Sequence, residues 1–170
     1  DVALFLDVAV LLVCFFPTLA CPDFALKHLD WEGSILRCQM WDVAGQERYS
    51  EMTRVYYKDA AAALIVFDLS GGEEELSTVI PWKRDLDRKV FSADDSNIPC
   101  LLIGNKCDLR RKEQLSEEHI KEFCEEHGFL KFFESSAKDG TNVNEAMHYL
   151  LEKAVEMKLL EDKRSAENNN

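Results

Sequence analysis

Glycine is scarce in this chain of 170 residues: there are seven, and none stands before Gly33. A loop that wraps backbone N–H groups around a phosphate depends on glycine, so the segment ahead of Gly33 holds no such loop. Basic residues are also few. Lys and Arg number 20 against 32 Asp and Glu, a net charge of −12, and the first basic residue is Lys27. So acidic a surface repels phosphate backbones, which excludes nucleic acid as a partner, and it excludes a polybasic membrane anchor. The basic start of a secretory signal is missing as well. The apolar run Val8 to Phe16 stops at nine residues, and a membrane-spanning helix needs ~20. The six cysteines form no C-x-x-C pair and the four histidines are scattered. Zinc needs clustered ligands and is set aside. Reduced, partly buried thiols in a cytosolic protein are expected.

What is present suits one globular domain. Hydrophobic residues make up 46% and charged residues 31%, which fits a folded chain with a sizeable core. Val8 to Phe16 reads as a buried strand. Phe24 to Trp31 reads as a strand, Glu32-Gly33-Ser34 as a tight turn, and Ile35 to Trp41 as its alternating partner. Ala62 to Phe67 and Pro99 to Ile103 are continuous apolar runs, as strands covered on both faces require. Lys131 to Phe133 is a short third run. Between them, Glu73 to Val90 is helical in composition, with Pro81 placed to break or kink it. Ser116 caps a helix that runs to His127 and ends at Gly128. Val143 to Leu160 sets Val143, Met147, Leu150, Leu151 and Ala154 on one face of a last helix. The polar tail Glu161 to Asn170 is expected to fray. Strands alternating with helices give an α/β fold: a mostly parallel sheet with helices on both faces and ligands at the carboxyl ends of the strands.

Three motifs fall at such ends. Asp42-Val43-Ala44-Gly45-Gln46 follows a strand. A carboxylate at Asp42 can hold Mg²⁺ through water, Gly45 lets a backbone N–H approach a terminal phosphate, and Gln46 can orient an attacking water. An ordinary strand-to-loop turn would use the same residues, and Asp-x-x-Gly alone is weak. Asn105-Lys106-Cys107-Asp108 follows the run Pro99 to Ile103. Asp108 can accept hydrogen bonds from guanine N1–H and N2–H₂. Adenine offers no such pair of donors, a mismatch worth on the order of 10⁴ in discrimination. Asn105 can tie neighbouring loops and the Lys106 stem can cover the base ring. Ser136-Ala137-Lys138 follows the third run, and the Ala137 N–H could donate to guanine O6. Each motif alone could be a polar turn. Their order and their positions after strands carry the reading.

On these residues, and on Trp41 to Tyr49 with Met52-Thr53-Arg54-Val55-Tyr56-Tyr57, the stretch Asp23 to Leu159 resembles a Rab-family small GTPase of the Ras superfamily. Val43-Ala44, Asp23 to Lys27, and Trp82-Lys83-Arg84-Asp85-Leu86-Asp87 resemble the subgroup that serves melanosomes and other lysosome-related organelles. The resemblance implies a P-loop NTPase-like small GTPase domain that binds GTP or GDP with Mg²⁺. It implies guanine contacts at Asn105, Lys106, Asp108, Ser136, Ala137 and Lys138, and γ-phosphate sensing at Asp42, Gly45 and Gln46. It also implies effector contacts through Phe24, Trp41 and Tyr56, where plain strand packing is an equal alternative for the first two. Effectors, exchange factors and GTPase-activating proteins are the implied partners, in vesicle traffic on endomembranes.

The chain departs from that family in several places. The G-x-x-x-x-G-K-[ST] loop is not found, and Gly71-Gly72 comes too late for it. At the first switch, Leu19 stands where a metal-binding threonine belongs, Thr18 is one place out, and Ala20 replaces a glycine. The chain ends Asn168-Asn169-Asn170 without prenylated cysteines, so no direct membrane anchor is expected. The domain is therefore expected to be N-terminally incomplete: 1–22 an atypical apolar segment, 23–160 the GTPase-like domain, 161–170 the tail. Residues 8–16 could fill the central slot of the sheet. Alternatively, residues 1–22 are mistranslated or alternatively spliced sequence with no native partner, and this second reading is slightly preferred. Three functions compete: a GTP-hydrolysing switch, a nucleotide-independent effector-binding module, and a non-functional partial product.

Overall fold

The computed structural model describes residues 5–14, 23–44, 57, 60–90, 96–109 and 115–168. Six strands form one sheet: β1 (Phe5–Cys14), β2 (Asp23–Trp31), β3 (Ser34–Ala44), β4 (Ala60–Asp68), β5 (Cys100–Asn105) and β6 (Lys131–Glu134). Their spatial order is β2-β3-β1-β4-β5-β6. The pairings β1–β3, β1–β4, β4–β5 and β5–β6 are parallel, and only β2–β3 is antiparallel.

The segment ahead of Asp23 thus contributes the central strand, against the preferred expectation of a segment without a partner. The physical reason is its composition. A strand flanked on both edges and covered on both faces must be apolar throughout, and Val8, Val10 and Leu11 are buried to 1% exposure or less. Register against β3 runs unbroken from Phe5↔Ile35 to Cys14↔Ala44. Asp7 and Arg37, directly opposite each other, form an exposed ion pair at 2.5 Å that favours this register over a slip. β2 and β3 meet at Glu32–Gly33, where both residues take positive φ (50° and 80°). Such two-residue turns match the twist of the flanking strands.

Four helices occur among the described residues: α1 (Gly72–Ser77), α2 (Ile80–Lys89), α3 (Glu117–His127) and α4 (Val143–Asn168). The expected helix 73–90 is two helices. Pro81 sits in the first turn of α2, where a missing N–H is harmless, and so it starts a helix rather than kinking one. Ser116 caps α3 by accepting from the His119 N–H at 3.1 Å, and Gly128 ends it in the left-handed conformation. α4 continues through Asn168, past the expected start of fraying. Its buried face is Ala146, Leu150, Leu151, Ala154 and Val155, with Met147 partly buried. Val143, expected on that face, is exposed.

The sheet separates two cores. Val8, Val10, Leu64, Val66 and Leu101 pack under α4. Leu11, Ile65, Phe67 and Leu102 pack against Leu76 of α1, Trp82 and Leu86 of α2, and Ile120 and Phe123 of α3. Cys38, Cys100 and Cys124 are free and buried, and burial pushes the Cys100 thiol up to about 12 and that of Cys124 to about 11.

Gly104, one residue before the end of β5, is a close approach. A Cβ there would lie 2.9 Å from Phe132 Cζ and 3.0 Å from Leu69 Cδ1. Gly104→Ala is expected to destabilise the fold by about 1–3 kcal/mol through overpacking. Urea denaturation at constant m-value measures this; an unchanged midpoint would show that the two neighbours yield freely.

Candidate functional site

The five parallel strands end at one edge of the sheet, and polar residues gather there. β4 ends on Asp68 and β5 on Asn105, and these two are register partners. Asn105 is buried. Its Oδ1 accepts from the backbone N–H of Lys106 at 2.8 Å and from that of Ala137 at 3.0 Å. The first bond folds the loop back on itself. The second ties it to the segment after β6. Ser135 N–H to Gly104 O (2.8 Å) and Cys107 N–H to Ser135 O (2.9 Å) reinforce the tie. Lys106 has a φ of 64°, a conformation that is unfavourable by about 1–2 kcal/mol for a residue with a Cβ. The surrounding bonds hold it there.

Asp108 lies in the short 3-10 turn Cys107–Leu109. Its Oδ1 accepts from Ser136 Oγ at 2.9 Å, and its Oδ2 lies 3.7 Å from Lys138 Nζ. Ser136 is fully buried, while Lys138 is 79% exposed and a loose partner. One carboxylate oxygen is therefore fixed while the side chain as a whole keeps access to solvent. The loop that carries Ser136 is closed by Ser136 N–H to Thr141 O at 3.1 Å. The Thr141 hydroxyl and N–H both donate to Asp139 Oδ1, and these bonds hold the Asp139 carboxyl below its ordinary range.

The structure brings together Asn105, Lys106, Asp108, Ser136, Ala137 and Lys138, as the sequence motifs anticipate. One detail differs. The Ala137 N–H, expected to face a ligand oxygen, donates to Asn105, so a base oxygen could claim it only in competition. Asp42 lies within β3 opposite Leu12 of β1, three strand positions from β5 and so roughly 14 Å across the sheet. Its Oδ1 is secluded from solvent. Gly45, Gln46 and Tyr56 lie outside the described residues. Phe24 and Trp41 face each other across β2–β3 with ring centroids 4.6 Å apart. Phe24 is 44% exposed, and Trp41 packs partly on the core.

Asp68 escaped the sequence reading. Its Oδ2 pairs with Lys106 Nζ, and its Oδ1 accepts from Ser70 N–H at 2.9 Å and Ser70 Oγ at 2.6 Å. Asp-Leu-Ser at the end of an apolar run is a capping signal that could have exposed it. Burial alone would raise its carboxyl. The bonds from Lys106 and Ser70 outweigh burial and hold it below the ordinary carboxylate range.

A model of the Ras family matches residues 15–156. The chain belongs to the Ras family. The match begins one residue past β1, so the central strand lies outside it. This Ras-family chain is 49% identical over 131 residues to "Ras-related protein Rab-32" of Sus scrofa, covering 76% of this chain and 58% of that protein. It is 48% identical over 134 residues to Rab-32 of Homo sapiens, covering 78% and 59%. It is 46% identical over 134 residues to "Ras-related protein Rab-7L1" of Homo sapiens, covering 78% and 65%. The chain spans less than two thirds of the length of these relatives. Among the described residues, no helix is long and apolar enough to cross a membrane.

The lowered Asp68 carboxyl fixes a pH dependence. A depressed folded value means the contribution is complete above the unfolded pKa and is lost as pH falls through the folded one. The stability difference between wild type and Asp68→Asn is expected to be flat from about pH 5 to about pH 8 and to shrink below about pH 4. Denaturant melts across this range test it. A difference that persists undiminished at the acid end would show that the charge on Asp68 is not what Lys106 holds.

Proposed function

We propose that this chain is a Rab-like guanine-nucleotide switch of intracellular vesicle traffic, with the base read at the carboxyl ends of β5 and β6. One observation carries the reading: Asp108, anchored by Ser136, stands beside the Asn105–Ala137 tie at the ligand edge of a parallel sheet. A carboxylate held by one oxygen suits the adjacent N1–H and N2–H₂ donors of guanine. Lys138, exposed and near Asp108, can flank the base, and the Lys106 stem can cover its ring.

The base half of GTP or GDP therefore fits the residues present. The phosphate half fits less well. The sequence has no G-x-x-x-x-G-K-[ST], and eight residues, 15–22, link β1 to β2. Asp42 remains as a carboxylate for Mg²⁺ through water, and Gln46 as the residue to orient a water in GTP hydrolysis. With that phosphate grip missing, affinity rests on the base and is expected to be weak. Phe24 and Trp41 are offered to effectors, the family resemblance assigns Tyr56 the same role, and the exposed Phe24 ring supports the reading. Exchange factors and GTPase-activating proteins would act on the same switch at endomembranes, including those of lysosome-related organelles.

Calorimetric titration with GDP and GTP, with ADP as control, tests the reading. Asp108→Ala is expected to weaken guanine-nucleotide binding by roughly 10²–10⁴, the worth of two charge-assisted hydrogen bonds. Equal affinity of the variant and wild type would show that the base sits elsewhere.

A further inference from the structure

We propose that Asp68 is a positioning residue of the base site, acting through Lys106. The inference rests on the guanine-base reading given above. Asp68 is the last residue of β4 and the register partner of Asn105, so it stands immediately beside the loop that reads the base. Each of its oxygens has a separate task. Oδ1 takes two bonds from Ser70, which fix the turn Leu69–Gly71, and Oδ2 takes the Lys106 ammonium. The carboxylate cannot swing away without giving up all three.

Lys106 is thereby held at both ends. Its backbone N–H donates to Asn105 Oδ1 at 2.8 Å, and its Nζ is tied to Asp68. Its positive φ means that the loop does not take this conformation by its own preference. The side chain is 38% exposed, so the tethered methylenes form an accessible wall rather than part of the core. A free lysine samples many rotamers, and a ligand that needs one of them must first order it. Tethering removes that entropic cost before the base arrives, which is how pre-organisation raises affinity. It also keeps the loop of Asn105, and with it Asp108, in place.

GDP affinity is measured for wild type, Asp68→Asn, Lys106→Met and the double variant. Each single change is expected to weaken binding about tenfold, and the double variant no more than Lys106→Met alone, because the two act as one unit. Asp68→Glu should restore part of the loss. A merely structural staple would give a loss without this coupling, of the kind Gly104→Ala gives. Additive losses, or full affinity in Asp68→Asn, overturn the proposal. Amide exchange in the nucleotide-free chains decides the case where wild type binds no GDP, an outcome that defeats the base reading itself. Faster exchange at Ala137 and Cys107 in Asp68→Asn then supports the positioning role, and unchanged exchange overturns it.

Discussion

Without Phe5–Cys14 the sheet would divide into the β2–β3 hairpin on one side and β4, β5 and β6 on the other. The parallel pairing of this strand to β3 and β4 makes them one body. Its side chains serve both cores: Val8 and Val10 lie under α4, and Leu11 lies on the opposite face. Burial of such a side chain stabilises by about 1.5–3 kcal/mol. The three together therefore contribute on the order of the whole net stability of a small domain, ~5–15 kcal/mol. Asp42, on the strand next to β1, keeps its place relative to Asn105 only because β1 and β4 stand between them.

The carboxyl edge is then assembled by side chains that bond to backbone. Asn105 Oδ1 collects N–H groups from its own loop and from the loop after β6, and Asp68 collects Ser70 and Lys106. In a chain with net charge −12, the Asp68 carboxyl is held below its ordinary range by the local donors Lys106 and Ser70, which outweigh its burial, rather than by a basic surface. The edge at Asn105 and Asp68 is thus tied together by internal donors. Asp42, on β3, stands three strand positions away from β5 along the same edge.

Much of this was legible in the sequence, and the exceptions have physical causes. The β4 run Ala62 to Phe67 alternates between the two cores, so a continuous apolar run announced a doubly covered strand. Ser116 and Gly128 announced both ends of α3 because cap chemistry is local. Val143 was misplaced since helical spacing gives a face but not where the sheet ends beneath it. That Asn105, Asp108 and Ser136 to Lys138 would gather at one edge was legible because they lie next to strand ends. Asp68 was not, because its partner is 38 residues away and the pairing depends on β4 and β5 being neighbours. The central strand was harder still. An apolar run shows that a segment is buried, but not which two strands it separates, and the family match starts only after it.

Native-state hydrogen exchange of the β1 amides tests the account most directly. If Phe5–Cys14 is the central strand, the amides of Val8 to Leu12 exchange only through global unfolding. They should then be as slow as those of Leu101 and Leu102 in β5, and should slow or quicken with them as denaturant is varied. Exchange of Val8 to Leu12 at unprotected rates while β5 stays protected would mean that the sheet is held together some other way. The edge built upon it would then lose its foundation.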